Sequence, residues 1–430
     1  MEKIFENKVL IKLQEFGRKV GQNKFLSSMQ AAMMALTGLT MIGAISQIIC
    51  SLGGETFLGL FQSGDAVYSV IYLPYQFTMN FLTLWIVALF SFNYAKNMKL
   101  KSPIVSAVNT LIGFLLVAGG TITSESGQTG LDLTFLGAQG MFVGFFVVFV
   151  SVRIEKFCAD RNIRIKMPDV VPPSLQDGFS AILPFLFTVI VLLGLSTAVT
   201  VGTQGAYTVC TGFKALLAAP LGTLTSVPGM FVLAIFAALM WCFGIHGSNI
   251  LSPIVVPLTI QAATTNAALH EAGQPLIFFP IALYVYKSAI GGTGNTFPLV
   301  LMGLRSKSKQ IRAVSRISLV PGWFLINEPL TFGLPIMYNP ILCIPYVLNI
   351  PIIITLTWIA YEVGFLSPAW IPITVLLPIG FTQYLSTLRW QNAIWDYLMM
   401  IPCALVYYPF FKVYEKQLVL KEQQMEAAEA

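Results

Sequence analysis

The apolar runs in this chain are longer than a soluble core can use. Residues 181–201, 224–245 and 341–360 are predominantly hydrophobic, and about 18 such residues suffice to cross a bilayer. Kept out of lipid, each run would need polar cover that the rest of the chain lacks. Hydrophobic residues make up 56% of the sequence and charged residues 10%, whereas a soluble domain carries about 25% charged residues. The runs are continuous rather than alternating, so they read as helices and not as strands of a barrel. The fold class that follows is an all-α integral membrane protein.

Basic residues punctuate the runs. They cluster at Lys3–Lys24, Lys96–Lys101, Arg153–Lys166, Arg305–Arg316 and Lys412–Lys421, while the loops 51–69 and 121–132 contain no Lys or Arg. Because positive charge stays on the cytoplasmic side, both termini are expected in the cytoplasm. An even number of crossings is then required. About ten spans fit, near 28–50, 71–95, 103–120, 134–152, 179–201, 224–245, 276–290, 341–360, 369–388 and 393–412. The Arg305–Arg316 cluster returns to the cytoplasm if 276–290 is re-entrant and 318–335 crosses instead. The first 24 residues mix charges without a cleavage site, which argues against a signal peptide. Phe16, Val20 and Phe25 there suggest an amphipathic helix on the membrane surface.

The six cysteines form no Cys-x-x-Cys pair, so neither a metal nor a redox centre is expected, and no cofactor is. The net charge of +6 lies mostly in the loops and reports orientation rather than a nucleic-acid partner. No phosphate-binding loop of the G-x-x-x-x-G-K-[ST] kind is present, which argues against an ATP-driven pump.

Three places interrupt apolar sequence with Gly, Pro and polar residues: GIHGSNILSP at 244–253, GGTGNTFP at 291–298 and NEPLTFGLP at 327–335. Irregular backbone at membrane depth is tolerated where it is buried in protein or lines a wet cavity, and in transporters such breaks mark binding sites. One break alone could be a kink. Two of these three, however, hold isolated ionisable residues. His246 lies between two glycines. Glu328 is the only charged residue between Arg316 and Glu362. A carboxylate at mid-bilayer costs about 2.5–3.5 kcal/mol on insertion scales, so it must be protonated, paired, or facing water and ligand. A plainer role for Glu328 is to cap a helix that begins at Pro329. For His246 it is a buried hydrogen bond to a neighbouring carbonyl. Asn249 and Asn327 add hydrogen-bonding capacity. Trp241 and Trp390 offer flat faces on which sugar C–H groups could pack, although membrane tryptophans are often belt residues. His270 and Glu271 read as a solvated loop, and Lys287 as a side chain that snorkels to an interface.

WCFGIHGSNI, GGTGNTFPL and INEPLTFGLPIMYNP together resemble the membrane component, enzyme IIC, of one family of the bacterial phosphoenolpyruvate-dependent sugar phosphotransferase system. That is the lactose/cellobiose/diacetylchitobiose family. DVVPPSLQDGFSAILP is similar to it as well. The resemblance implies a homodimer in the bacterial cell membrane. Residues 1–176 would hold the dimerisation helices and a cytoplasmic connector. Residues 177–430 would carry the sugar, with two re-entrant hairpins. It further implies that His246 and Glu328 lie near the sugar C6 hydroxyl, that Trp241 lies near the ring, and that Gly292 and Gly294 line the pocket. Asn295, Thr296 and Phe297 depart from the smaller residues expected after the glycines. The substrate would be a β-linked disaccharide, cellobiose-type by family breadth. The phosphoryl donor would be a phosphocysteine on enzyme IIB, supplied upstream by IIA and HPr. The chain ends at KEQQMEAAEA, so IIB is expected as a separate protein. Alone, this chain would be a permease subunit rather than a complete enzyme. A proton-coupled sugar carrier, with Glu328 as the proton site, is the alternative.

Overall fold

The computed structural model describes residues 12, 15–17, 19–20, 22–54, 58–62, 64–123, 127–168, 170–375 and 377–429. Much of the expected amphipathic start lies outside the described residues. Of its marker residues, Phe16 meets Phe236 edge-on at 6.4 Å. The chain divides into two compact units, Gln22–Gly222 and Thr223–Ala430 with Met1–Gly21.

The first unit runs α1 (Lys24–Ala35), α2 (Thr37–Gly53), α3 (Ala66–Met79), α4 (Leu82–Asn97), α5 (Pro103–Ala118), α6 (Met141–Asp160), α7 (Pro173–Gly202) and α8 (Val209–Leu224), the last ending at the boundary. The Asn23 side chain opens α1 by accepting from the N–H groups of Phe25 and Leu26, which gives an acceptor to two donors that a helix start leaves unpaired. Phe25 then packs edge-on against Phe90, Tyr94 and Phe149, with ring centroids 5.0, 5.5 and 5.6 Å away. Ile86, Val87, Phe90, Phe114 and Met141 are fully buried in the same core. Burying each such large side chain stabilises by about 1.5–3 kcal/mol.

The opposite faces are apolar too. Ile42, Ile45 and Ile49 on α2, and Ile182, Leu186 and Ile190 on α7, are exposed. Their spacing of three and four residues makes outward stripes that suit lipid rather than water. A plain loop was expected over 121–132. Instead β1 (Thr121–Thr123) pairs antiparallel with β2 (Thr129–Leu131), Thr121 opposite Leu131. Thr121, Ile122, Thr123 and Thr129 are β-branched and suit a pleated backbone.

The second unit contains α9 (Val227–Cys242), α10 (Gly247–Glu271), α11 (Ala282–Val285), α12 (Phe297–Gly303), α13 (Lys309–Trp323), α14 (Glu328–Gly333), α15 (Pro340–Glu362), α16 (Phe381–Thr387), α17 (Trp390–Leu398) and α18 (Met400–Glu429). Among the described residues, five helices are long and apolar enough to cross a membrane, or seven if two bent helix pairs each count as one span. The protein is thus a helical membrane protein.

Three sequence expectations fail in this unit. Residues after His246 form one long helix, α10, despite Pro253 and Pro257 within it. His270 therefore ends a helix, and its ring stacks on Trp370 at 3.8 Å instead of standing free in a loop. The span expected over 369–388 is irregular until the short α16, because Pro368, Pro372 and Pro378 remove donors that a continuous helix needs. Lys287 does not snorkel; it is buried, only 5% exposed.

The polar end of α18 clasps the loop between α12 and α13. Glu415 Oε1 accepts from Ser306 Oγ at 2.7 Å and from the Lys307 N–H at 2.8 Å. Glu422 accepts from Ser308 Oγ and from the N–H groups of Lys309 and Gln310. Lys309 Nζ donates to Glu426 at 2.6 Å, and that carboxylate lifts the lysine above its usual range. Glu415→Ala leaves the buried Ser306 hydroxyl and one backbone N–H without their acceptor. We expect a loss of roughly 2 kcal/mol, seen as a lower unfolding midpoint in detergent and faster amide exchange at 306–310. An unchanged midpoint and exchange rate would show that water replaces the carboxylate at no cost.

Candidate functional site

The three interrupted segments of the second unit converge. The GIHGS segment meets the glycine loop where Ser248 Oγ and Thr293 Oγ1 lie 3.2 Å apart. The NEP segment meets the same loop where Asn327 Nδ2 donates to the Thr293 carbonyl at 2.8 Å. Beyond it, the Tyr338 N–H and hydroxyl donate to the carbonyls of Cys242 and Phe243, at 2.9 and 2.8 Å. Three breaks that looked separate in sequence are one structure, and its cross-links are mostly bonds to backbone carbonyls that irregular chain leaves free.

Two glycines make this approach possible. Gly292 and Gly294 have φ of +83° and +80°, a region costly for residues with a Cβ. Space forbids a side chain as well. A Cβ at Gly292 would stand 2.7 Å from Asn327 Cγ, and one at Gly294 would stand 2.5 Å from the Tyr346 ring. The Tyr407 hydroxyl donates to the Gly294 carbonyl at 2.7 Å and holds the turn from the other side. These two positions therefore shape the loop against its neighbours.

His246 sits at the N-cap of α10, and its Nδ1 accepts from the Asn249 N–H at 3.2 Å. A ring nitrogen that accepts is unprotonated, so in the neutral ring Nε2 carries the hydrogen. That Nε2 faces Glu328 Oε1 at 3.9 Å, with the two side chains 37% and 41% exposed. Glu328 is the first residue of α14, with Pro329 next. The helix thus begins one residue earlier than expected: Asn327 takes the N-cap position, and Glu328 lies inside the first turn instead of capping it. The separation is too long for a direct hydrogen bond. One oxygen atom placed about 2.8 Å from each group would bridge them. Such an oxygen would receive a hydrogen from His246 and give one to Glu328, which is how a hydroxyl group bonds.

Trp241 flanks the gap, its ring centroid 4.5 Å from that of His246. Its Nε1 is buried, with no hydrogen-bond partner among the described residues. Asn249 is exposed and serves the site through its backbone, whereas Asn327 is buried and spends its amide on Thr293. Trp390 lies apart: it opens α17 and is 60% exposed, and no hydrogen bond or ring contact among the described residues ties it to His246 or Glu328. Sequence reasoning missed Thr293, Tyr338, Tyr346 and Tyr407, which resemble ordinary core or turn residues. It also misplaced Lys287, although a lone cation in apolar sequence was a readable signal. Among the described residues, no cluster of three or more His, Cys, Asp or Glu could hold a metal.

A helical membrane unit with interrupted segments gathered around a half-exposed histidine and acid has the build of a solute permease. The sequence pattern of the phosphotransferase system EIIC family matches residues 27–349. The chain belongs to that family, as a permease component of the phosphotransferase system. It is 29% identical over 96% of its length to the oligo-beta-mannoside-specific EIIC component of Bacillus subtilis (strain 168), covering 94% of that protein. The lichenan permease IIC component of the same organism is 33% identical over 69% of this chain and 66% of the relative. In three dimensions the chain is similar to ChbC, the IIC component of an N,N'-diacetylchitobiose-specific phosphotransferase system. The TM-score is 0.86 at 26% identity, covering 95% of this chain and 98% of that one.

Proposed function

We propose that this permease binds a β-linked disaccharide of cellobiose type outside the cell, carries it inward and holds its C6 hydroxyl between His246 and Glu328. The observation that carries this reading is the 3.9 Å gap between Nε2 and Oε1, which one hydroxyl oxygen fills. The names of its relatives, for oligo-beta-mannoside, lichenan and N,N'-diacetylchitobiose, support a β-linked sugar. Trp241 would pack against the sugar ring, with Gly292, Gly294, Asn249 and Asn327 framing the pocket; Trp390 could join only at its far end. N-terminal helices would pair two copies into a homodimer, and both termini would face the cytoplasm.

At the cytoplasmic face, IIB, phosphorylated through HPr and IIA, would present its phosphocysteine. The C6 oxygen bonds to phosphorus as the S–P bond breaks. The hydroxyl proton passes to Glu328, and the thiolate remains on IIB. His246 Nε2–H orients the hydroxyl from the other side. Phosphoryl transfer of this kind depends chiefly on alignment and charge stabilisation. Inverted or sealed vesicles separate this reading from a proton-coupled carrier. With phosphoenolpyruvate and the soluble components, they should convert radiolabelled cellobiose or another β-disaccharide into its 6-phosphate. With a proton gradient alone they should accumulate none. Gradient-driven accumulation of free sugar would favour the carrier.

A further inference from the structure

The transfer just described brings a doubly charged phosphoryl group to an oxygen that already touches the Glu328 carboxylate. Like charges this close repel, and low surrounding polarity makes the repulsion stronger. A fixed cation is needed nearby. The three converging segments themselves hold no lysine or arginine; with their flanks, over residues 244–253, 281–303 and 327–339, the sequence contains a single one, Lys287, four residues before the glycine loop.

Its setting is unusual. Lys287 is 5% exposed. Among the described residues its Nζ has one hydrogen-bond acceptor within reach, Ser288 Oγ at 3.2 Å, and it lies 4.2 Å from the centroid of the Tyr284 ring. Among the described residues, no carboxylate stands within 4 Å of it. A buried ammonium normally needs a paired anion. This one has an aromatic face and a hydroxyl instead, with donor capacity to spare. It is also tied to the site. The Lys287 carbonyl accepts from the Gly294 N–H at 3.0 Å, so it anchors the glycine loop. Thr293, next to Gly294, in turn meets Ser248, two residues from His246, at 3.2 Å.

We propose that Lys287 is a positioning residue for the phosphoryl group: a buried amine, held by the glycine loop, whose ammonium form offsets the charge that arrives with phospho-IIB and remains on the sugar 6-phosphate. The inference rests on the permease reading above. Lys287 need not touch sugar for this role, so its loss should separate binding from transfer.

The test uses the full chain in liposomes with purified phospho-IIB, and the disaccharide that the wild-type chain phosphorylates, cellobiose being tried first. Lys287→Met keeps the length of the side chain and removes its charge. We expect it to bind sugar within about threefold of wild type and to transfer phosphoryl about 10²–10³-fold more slowly at saturating sugar, the range seen when one preorganised stabilising group is lost. Lys287→Arg, which keeps the charge, should recover most of that rate. Sugar 6-phosphate should inhibit Lys287→Met more weakly than wild type. A wild-type transfer rate in Lys287→Met would overturn the proposal. So would equal loss of binding and transfer in both variants, which marks a packing role. If the wild-type chain binds sugar but makes no sugar phosphate, the permease reading itself fails, and the proposal with it.

Discussion

Glu328→Gln should insert, fold and bind sugar, yet form sugar phosphate about 10²–10⁴-fold more slowly than wild type. Glutamine keeps the size of the side chain and one acceptor oxygen. The hydroxyl can therefore still be held across the gap from His246 Nε2. What is lost is a group able to take the proton as the oxygen attacks phosphorus. The barrier should rise by about 3–5 kcal/mol, each 1.4 kcal/mol being about tenfold. The lesion belongs in the transfer rate at saturating sugar, with the sugar dissociation constant shifted much less. Single-turnover transfer from phospho-IIB, measured beside equilibrium sugar binding, reads both quantities. Sugar-phosphate formation at the normal rate would remove Glu328 from the chemistry.

Gly294→Ala should damage the protein itself. The backbone there is left-handed, with φ of +80°, which costs a residue with a Cβ about 1–2 kcal/mol. The added methyl would also press on Tyr346, a fully buried ring. Overpacking of that kind typically costs another 1–3 kcal/mol. A total of about 2–5 kcal/mol is large against the 5–15 kcal/mol that holds a typical domain. The unfolding midpoint in detergent should fall markedly, and sugar binding should fall with it. Gly194→Ala is the matched control: it lies within α7, where an added methyl meets nothing within 4 Å among the described residues, and its midpoint should be unchanged or higher. Equal midpoints for the two variants would contradict the packing described around the glycine loop.

His246 and Glu328 could be found from sequence because ionisable residues are so rare in this apolar chain. Their 3.9 Å approach could not, since it depends on how two distant breaks fold back onto a third. The glycines of the loop were legible as glycines. The tyrosines that require them, Tyr346 and Tyr407, were not, because an aromatic residue in an apolar helix carries no mark of which backbone it meets. Proline misled in both directions. Pro253 suggested a break where α10 continues, while apolar sequence around Pro368, Pro372 and Pro378 suggested a span where the chain is irregular. Whether neighbouring groups repair the lost hydrogen bonds decides the matter, and a single sequence does not show those neighbours.

Both ends of α12 are fastened to the same helix. Tyr407 holds the glycine turn just before it, and Glu415 holds the serine loop just after it; both residues belong to α18. Seven helical residues span only about 10 Å, so α12 forms a short, braced strut between the glycine turn and the charged rim. A strut fastened in this way transmits force along its length. Anything that leans on the rim therefore bears on the glycine turn, and a shift of the turn bears on the rim.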